Sequence, residues 1–294
     1  MTDLLQFIFM GIQRGAIYAM VAMGFNIIYN STGIINLAQG EFVVIGGLMM
    51  ASLTMHFNMF MPIAFVLTVI SVTIIGILME RFTINPVKNP NVLRLIIITI
   101  AVSILLKGFA MCVWGKSSHF MRHFSSEEPL VFAGATILPQ TLWIIGFLII
   151  VVTGFLYFFN HTMTGKSMRA CAINRDAAKL IGVNDKKMVM ISFALSACIG
   201  AVAGIIITPI IQMDYARGAL LGLKGFGAAV LGGLGNSFGA VCAGLILGII
   251  EALGAGYISS HYMDAIALSI LLIVLFIKPS GMFGSATAAR FKDF

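Results

Sequence analysis

Nine stretches of the chain, near residues 4–29, 34–57, 60–79, 95–114, 142–159, 189–211, 219–234, 238–258 and 263–277, are apolar over about the length a helix needs to cross a bilayer. Runs of this kind suit a hydrocarbon core, where a helix satisfies its own backbone hydrogen bonds. Of the 294 residues 60% are hydrophobic and only 10% are charged, against roughly 45–50% and 25% in a soluble domain. The expectation is an all-α polytopic membrane protein, a single transmembrane domain over residues 1–294 with about nine helices, one of them short or broken. Little chain is left for a soluble catalytic or nucleotide-binding domain. No Lys or Arg precedes Arg14, so the first apolar segment lacks the basic start of a cleaved signal peptide and is expected to stay in place.

A net charge of +7 suggests nucleic acid in a soluble protein, but here the basic residues cluster in loops and act as topology signals. Lys166, Arg169, Arg175, Lys179, Lys186 and Lys187 fall between the fifth and sixth apolar stretches, so this loop, about residues 161–188, is expected in the cytoplasm. Alternation then places Arg81, Lys88 and Arg94 inside, together with Lys278, Arg290 and Lys292 of the C-terminal tail. The N-terminus with Asp3, and a loop of about residues 115–141, are expected outside. The seventh stretch is the weakest, with six glycines and Lys224 from Gly218 to Gly233. Glycine pairs four apart, such as Gly11 with Gly15 and Gly244 with Gly248, let helix backbones approach closely in lipid.

Two catalytic motifs fail on context. Gly165, Lys166 and Ser167 resemble the end of a phosphate loop, but Asn160 stands where the loop needs glycine and an apolar span precedes it. Gly235, Ser237 and Gly239 have the spacing of a serine nucleophile elbow without its strand-to-helix turn. No catalytic residue and no metal site is expected, and the scattered Cys112, Cys171, Cys198 and Cys242 form no CxxC pair.

Polar residues inside the apolar stretches carry more information, because ionisable groups in hydrocarbon tend to face a bundle interior or a wet path. They are Arg14, Asn26, Asn36, Gln39, Glu41, Lys107, Lys224 and Glu251. Asn36 and Gln39, three apart, are expected on one helix face, with Gly40 weakening the helix beside them; this stretch is the candidate pathway. For Arg14, Lys107 and Glu251 a structural ion pair or snorkelling is the expectation. Between Gly165 and Lys187, alanines and leucines alternate with charges at helical spacing, as in one or two short surface helices. Asp176, Ala177 and Ala178 followed by Gly182 suggest a docking helix ended by glycine.

With these residues in place, the chain resembles the LivH-type permeases of ATP-binding-cassette importers for branched-chain amino acids, over nearly its whole length. GIINLAQGEF at residues 33–42 resembles the family's signature after the first span, with Leu37 and Gln39 in place of a common Phe and His. TGKSMRACAINRDAAKLIGV at 164–183 is similar to its cytoplasmic coupling loop. The glycine-rich run 226–251, and Lys278, Pro279, Gly281, Phe283 and Gly284, resemble later motifs in the same order. Asn36, Gly40 and Glu41 match the family's signature, while Gln39 departs from it; the candidate pathway stays Asn36, Gln39, Gly40 and Glu41. In the coupling loop Asp176, Ala177, Ala178 and Gly182 stand at the family's coupling positions, and with Arg169 and Arg175 of the same basic loop they are the expected ATPase-coupling residues. The resemblance also implies a homologous second permease subunit, two cytoplasmic ATPase subunits that bind ATP and Mg, an external solute-binding protein, and a bacterial inner-membrane location. This chain itself is expected to bind no cofactor. A urea or amide substrate, or an ion-coupled secondary transporter, is the competing reading; only two deep carboxylates, Glu41 and Glu251, argue against an ion relay.

Overall fold

The computed structural model describes residues 2–87, 91–125, 128–132, 134–278 and 281–283. Lys88, Pro279, Gly284, Arg290 and Lys292 lie outside the described residues. Each of the nine apolar stretches contains a helix. In chain order the helices are α1 (Thr2–Thr32), α2 (Gln39–Ala51), α3 (Met61–Met79), α4 (Val92–Trp114) and α5 (Pro139–His161). They continue with α6 (Met163–Ile173), α7 (Arg175–Leu180), α8 (Asp185–Ile207), α9 (Arg217–Gly232), α10 (Ser237–Tyr257) and α11 (Met263–Ile277). A small antiparallel hairpin, β1 (Leu130–Phe132) with β2 (Ala135–Ile137), interrupts the expected all-helical pattern in the loop before α5.

Among the described residues, seven helical segments are long and apolar enough to cross a membrane. The other two apolar stretches give shorter helices, α2 with 13 residues and α9 with 16. Only the second of these was expected to be short. The second stretch starts late because Gly33, at φ +71°, ends α1 in the left-handed region where a side chain is strained. The chain then runs irregularly until Gln39, and a turn of π-helix, Ser52–His56, extends the far end of α2.

Burial divides the bundle. Most of α2 and two-thirds of the apolar window of α8 are buried, whereas α4, α5 and α11 bury under a fifth of theirs. The exposed side chains of those outer helices, such as Ile97, Ile104, Ile150 and Phe276, are large and apolar, as a lipid-facing surface requires. The centre is held by backbone proximity. A Cβ on Gly11 or Gly15 would overlap the backbone of α10, and one on Gly244 or Gly248 would overlap α1. The spaced glycines thus pack helices within this chain.

Hydrogen bonds sort the loops into two ends. At one end Gln6 bonds Thr136 of the hairpin (3.0 and 2.8 Å), and His119 pairs through its backbone with Met213 (2.8 Å each way). At the other, Asn26 accepts from the Gly235 amide (3.1 Å), Asn30 donates to the Gly235 carbonyl (3.0 Å), and Asn236 donates to the Phe283 carbonyl (3.1 Å). Helix starts at this second end are capped by side chains: Thr162 for α6, Asn174 for α7, Asn184 for α8 and Asn236 for α10.

Candidate functional site

The break between α1 and α2 gathers the four candidate pathway residues, though not in the expected way. Asn36 precedes α2, so it shares no helix face with Gln39. Its Oδ1 accepts from the Ala38 amide (3.1 Å), an Asx turn that competes with the helix. Gln39 donates to the Ser196 carbonyl of α8 (3.1 Å) and accepts from the Ser196 hydroxyl (2.5 Å). Glu41 accepts from Ser103 of α4 (3.1 Å) and its carboxylate lies against Gly218 of α9. Gly40 faces the Gly218 carbonyl so closely that a Cβ would overlap it. Asn36, Gln39 and Glu41 are each at most 1% exposed. Among the described residues, Asn36 Nδ2 and Glu41 Oε2 have no hydrogen-bond partner. The arrangement is an enclosed polar girdle where α1, α2, α4, α8 and α9 meet, with spare hydrogen-bonding capacity.

The basic loop forms two short helices, α6 and α7, as the spacing suggested. Ala177 and Asp176 are exposed, but Ala178 is only 2% exposed and packs with Phe159, Met168, Cys171 and Met188 of its own chain. The two alanines therefore do not form one outward seat: Ala178 anchors α7 inward, and only Ala177 faces out. Gly182, at φ +87°, closes the helix, with its amide bonding the Lys179 carbonyl (3.0 Å) and the Val183 amide bonding the Ala178 carbonyl (3.0 Å). Arg169 is exposed and reaches Asn160 (3.4 Å). Arg175 turns inward and donates from Nη2 to the carbonyls of Ser31 (3.2 Å) and Thr32 (3.3 Å), the end of α1 just before the break. Ile173, Leu180 and Ile181 are left 76–89% exposed beside it. Burial raises the pKa of the Cys171 thiol, and Asp185 adds to the shift.

A third group was only partly visible in the sequence. Lys224 Nζ lies 3.0 Å from Glu251 Oε1 and 2.6 Å from Asp264 Oδ1. The Tyr18 hydroxyl donates to Glu251 Oε1 (3.0 Å), and Arg14 Nη1 is 3.5 Å from the same oxygen and also contacts Met263 Sδ. The ion pair expected for Arg14 and Glu251 is present, with Lys224, Tyr18 and Asp264 added to it. Lys107 stands apart, 5.9 Å from the centre of the Tyr215 ring.

Comparison with known proteins agrees with this architecture. Residues 7–275 match the family described as the permease component of branched-chain amino acid transport systems. The chain is 31% identical to the high-affinity branched-chain amino acid transport system permease protein LivH of Salmonella typhimurium, over 95% of each chain. It is 30% identical to BraD of Pseudomonas aeruginosa, over 93% of this chain and 94% of that one. A more distant relative, the ribose import permease protein RbsC of Haemophilus influenzae, is 28% identical over 90% and 82%. The chain belongs to the family of permease components of branched-chain amino acid transport systems.

Proposed function

We propose that this chain is a multi-pass permease subunit of an ATP-driven importer, forming half of a translocation pathway for branched-chain or other apolar amino acids. It works without catalytic chemistry of its own. Its partners are a second, homologous permease subunit, two cytoplasmic ATPase subunits that hold ATP and Mg, and an external solute-binding protein, all in a bacterial inner membrane. The whole of residues 1–294 acts as one transmembrane domain crossing nine times, with the N-terminus outside, residues 115–141 outside and residues 161–188 inside. The sorting of loops into two ends supports this path, since it takes even the short α2 and α9 from one end to the other.

One observation carries the reading: Arg175, at the start of α7 and beside exposed Ile173, Leu180 and Ile181, holds the end of α1 one residue before the chain enters the break. A push on α7 from an ATPase subunit is thereby delivered to Gly33 and on to Asn36, Gln39, Gly40 and Glu41. Asn36 and Glu41 have the unused polar atoms to meet a passing solute, and Gly40 sets the close α2–α9 contact that must shift for the path to open. Arg169, Asp176 and Ala177 face the ATPase; Ala178 and Gly182 fix the shape of the helix. ATP binding and hydrolysis then shift the bundle between outward- and inward-open populations.

The test is reconstitution with these four partner subunits in proteoliposomes. Labelled leucine should enter only with ATP at the cytoplasmic face. Entry driven by a sodium or proton gradient without ATP, or entry of urea with leucine excluded, overturns the proposal.

A further inference from the structure

The ionic group around Lys224 lines a cavity of about 320 Å³ between α1, the end of α8, α9, α10 and α11, at the lower end of the roughly 300–1,000 Å³ of small-molecule sites. One wall is charged: Arg14 and Lys224 are the cations, Glu251 and Asp264 the anions. Much of the remaining lining is aliphatic, with Ile17, Ile207, Ile211, Leu220 and Leu221. Arg217, also at the cavity, is occupied by Asp214 at 2.9 Å.

Stability alone is a weak reason for such a wall. A buried ion pair contributes little net and is often replaceable by apolar packing, and α1 already meets α10 through glycine contacts. Glu251 is fully buried, and its second oxygen, Oε2, has no hydrogen-bond partner among the described residues. Arg14 and Asp264 keep 34% and 48% of their side chains exposed, so one cation and one anion stand where a solute arrives.

We propose that this cavity is a binding station for the substrate, which it takes as a small zwitterion with an aliphatic side chain, a proposal that rests on the importer reading above. The carboxylate of such a solute meets Arg14 and Lys224, its ammonium meets Asp264 and Glu251 Oε2, and its side chain lies on the isoleucine and leucine wall. The four protein charges sum to zero, and so do those of a zwitterion, so occupancy leaves the site balanced. A lone cation or anion leaves one protein charge without its partner, and a polyol meets an aliphatic wall with hydroxyl groups.

The test uses the assembled permease–ATPase complex with its four native cysteines replaced and a single reporter, Leu220→Cys, labelled by a thiol reagent. Leucine should slow labelling at concentrations where isocaproate, which lacks the ammonium, and isoamylamine, which lacks the carboxylate, have no effect. Asp264→Asn, in complexes that still assemble, should weaken protection by leucine about tenfold or more, the loss expected for a hydrogen bond between charged groups. Ile211→Cys is the second reporter if Leu220→Cys does not assemble. Equal protection by all three compounds, or by none, overturns the site. Parallel leucine uptake by the wild-type importer separates the two levels. Failed protection with ATP-dependent uptake intact removes the site alone, whereas absent uptake removes the importer reading and protection still decides the cavity.

Discussion

Replacing Arg175 by Met keeps most of the aliphatic stem and removes the guanidinium that grips α1. A hydrogen bond from a charged donor contributes ~1.5–3 kcal/mol. The two contacts here, 3.2 and 3.3 Å, are long, come from one nitrogen and sit on a half-buried side chain, so the pair is taken near the low end, about 2 kcal/mol. At 1.4 kcal/mol per factor of ten this is about a thirtyfold change in how often α7 and α1 move together. The expected phenotype is specific. The complex assembles, ATP is hydrolysed at close to the normal rate, and leucine imported per ATP falls by up to that factor. Arg175→Lys, which retains the charge with a shorter reach, should recover part of the loss. The assay is paired measurement of uptake and phosphate release in the same proteoliposomes. Unchanged stoichiometry refutes the linkage, and loss of the ATPase subunits shows instead that Arg175 contacts them directly.

Three further outcomes are expected. Gly40→Leu drives a side chain into the Gly218 carbonyl and should lower the thermal stability of the complex by ~1–3 kcal/mol, whereas Asn36→Leu should leave the Tm close to normal but impair uptake. Ala177→Trp should weaken ATPase association with the subunit stable in detergent, while Ala178→Trp should overpack the chain's own core beside Met168 and Met188 and destabilise the subunit even when alone; the reverse pattern removes the inward orientation of Ala178. The raised pKa of the buried Cys171 thiol keeps it protonated beyond the pH at which an ordinary cysteine, near pKa ~8.5, reacts; maleimide labelling of Cys171 in the folded protein should therefore rise only at higher pH than for an exposed single cysteine, and an unshifted profile contradicts its burial.

The apolar stretches were legible because a span needs length and composition, and both are local. The basic loop was legible for the same reason, as was its division into short helices. What escaped was set by partners distant in the chain. Asn36 reads as a helical residue three before Gln39, yet its side chain satisfies the Ala38 amide and the helix starts later. Ala177 and Ala178 are equivalent by composition, and only the bed of Phe159, Met168 and Met188 separates inward from outward. Asp264 sits at the start of the last helix, where an acid looks like an ordinary interfacial residue, and Tyr18 counts as apolar. Their link to Lys224 and Glu251 exists only once α1, α9, α10 and α11 are together.

The glycine seam between α1 and α10 has a mechanical consequence. Where side chains separate two helices, rotamer changes absorb small displacements and motion fades within a turn or two. Here backbone meets backbone at Gly11, Gly15, Gly244 and Gly248, so the seam offers almost no such slack. The pair therefore transmits force as a stiff strut. From Thr32, gripped by Arg175, to Arg14 at the cavity is about 27 Å at 1.5 Å per residue. A tilt imposed at the α7 end reaches the far end as a lever movement that shifts Arg14 and Glu251 together, relative to Lys224 and Asp264 on helices outside the seam.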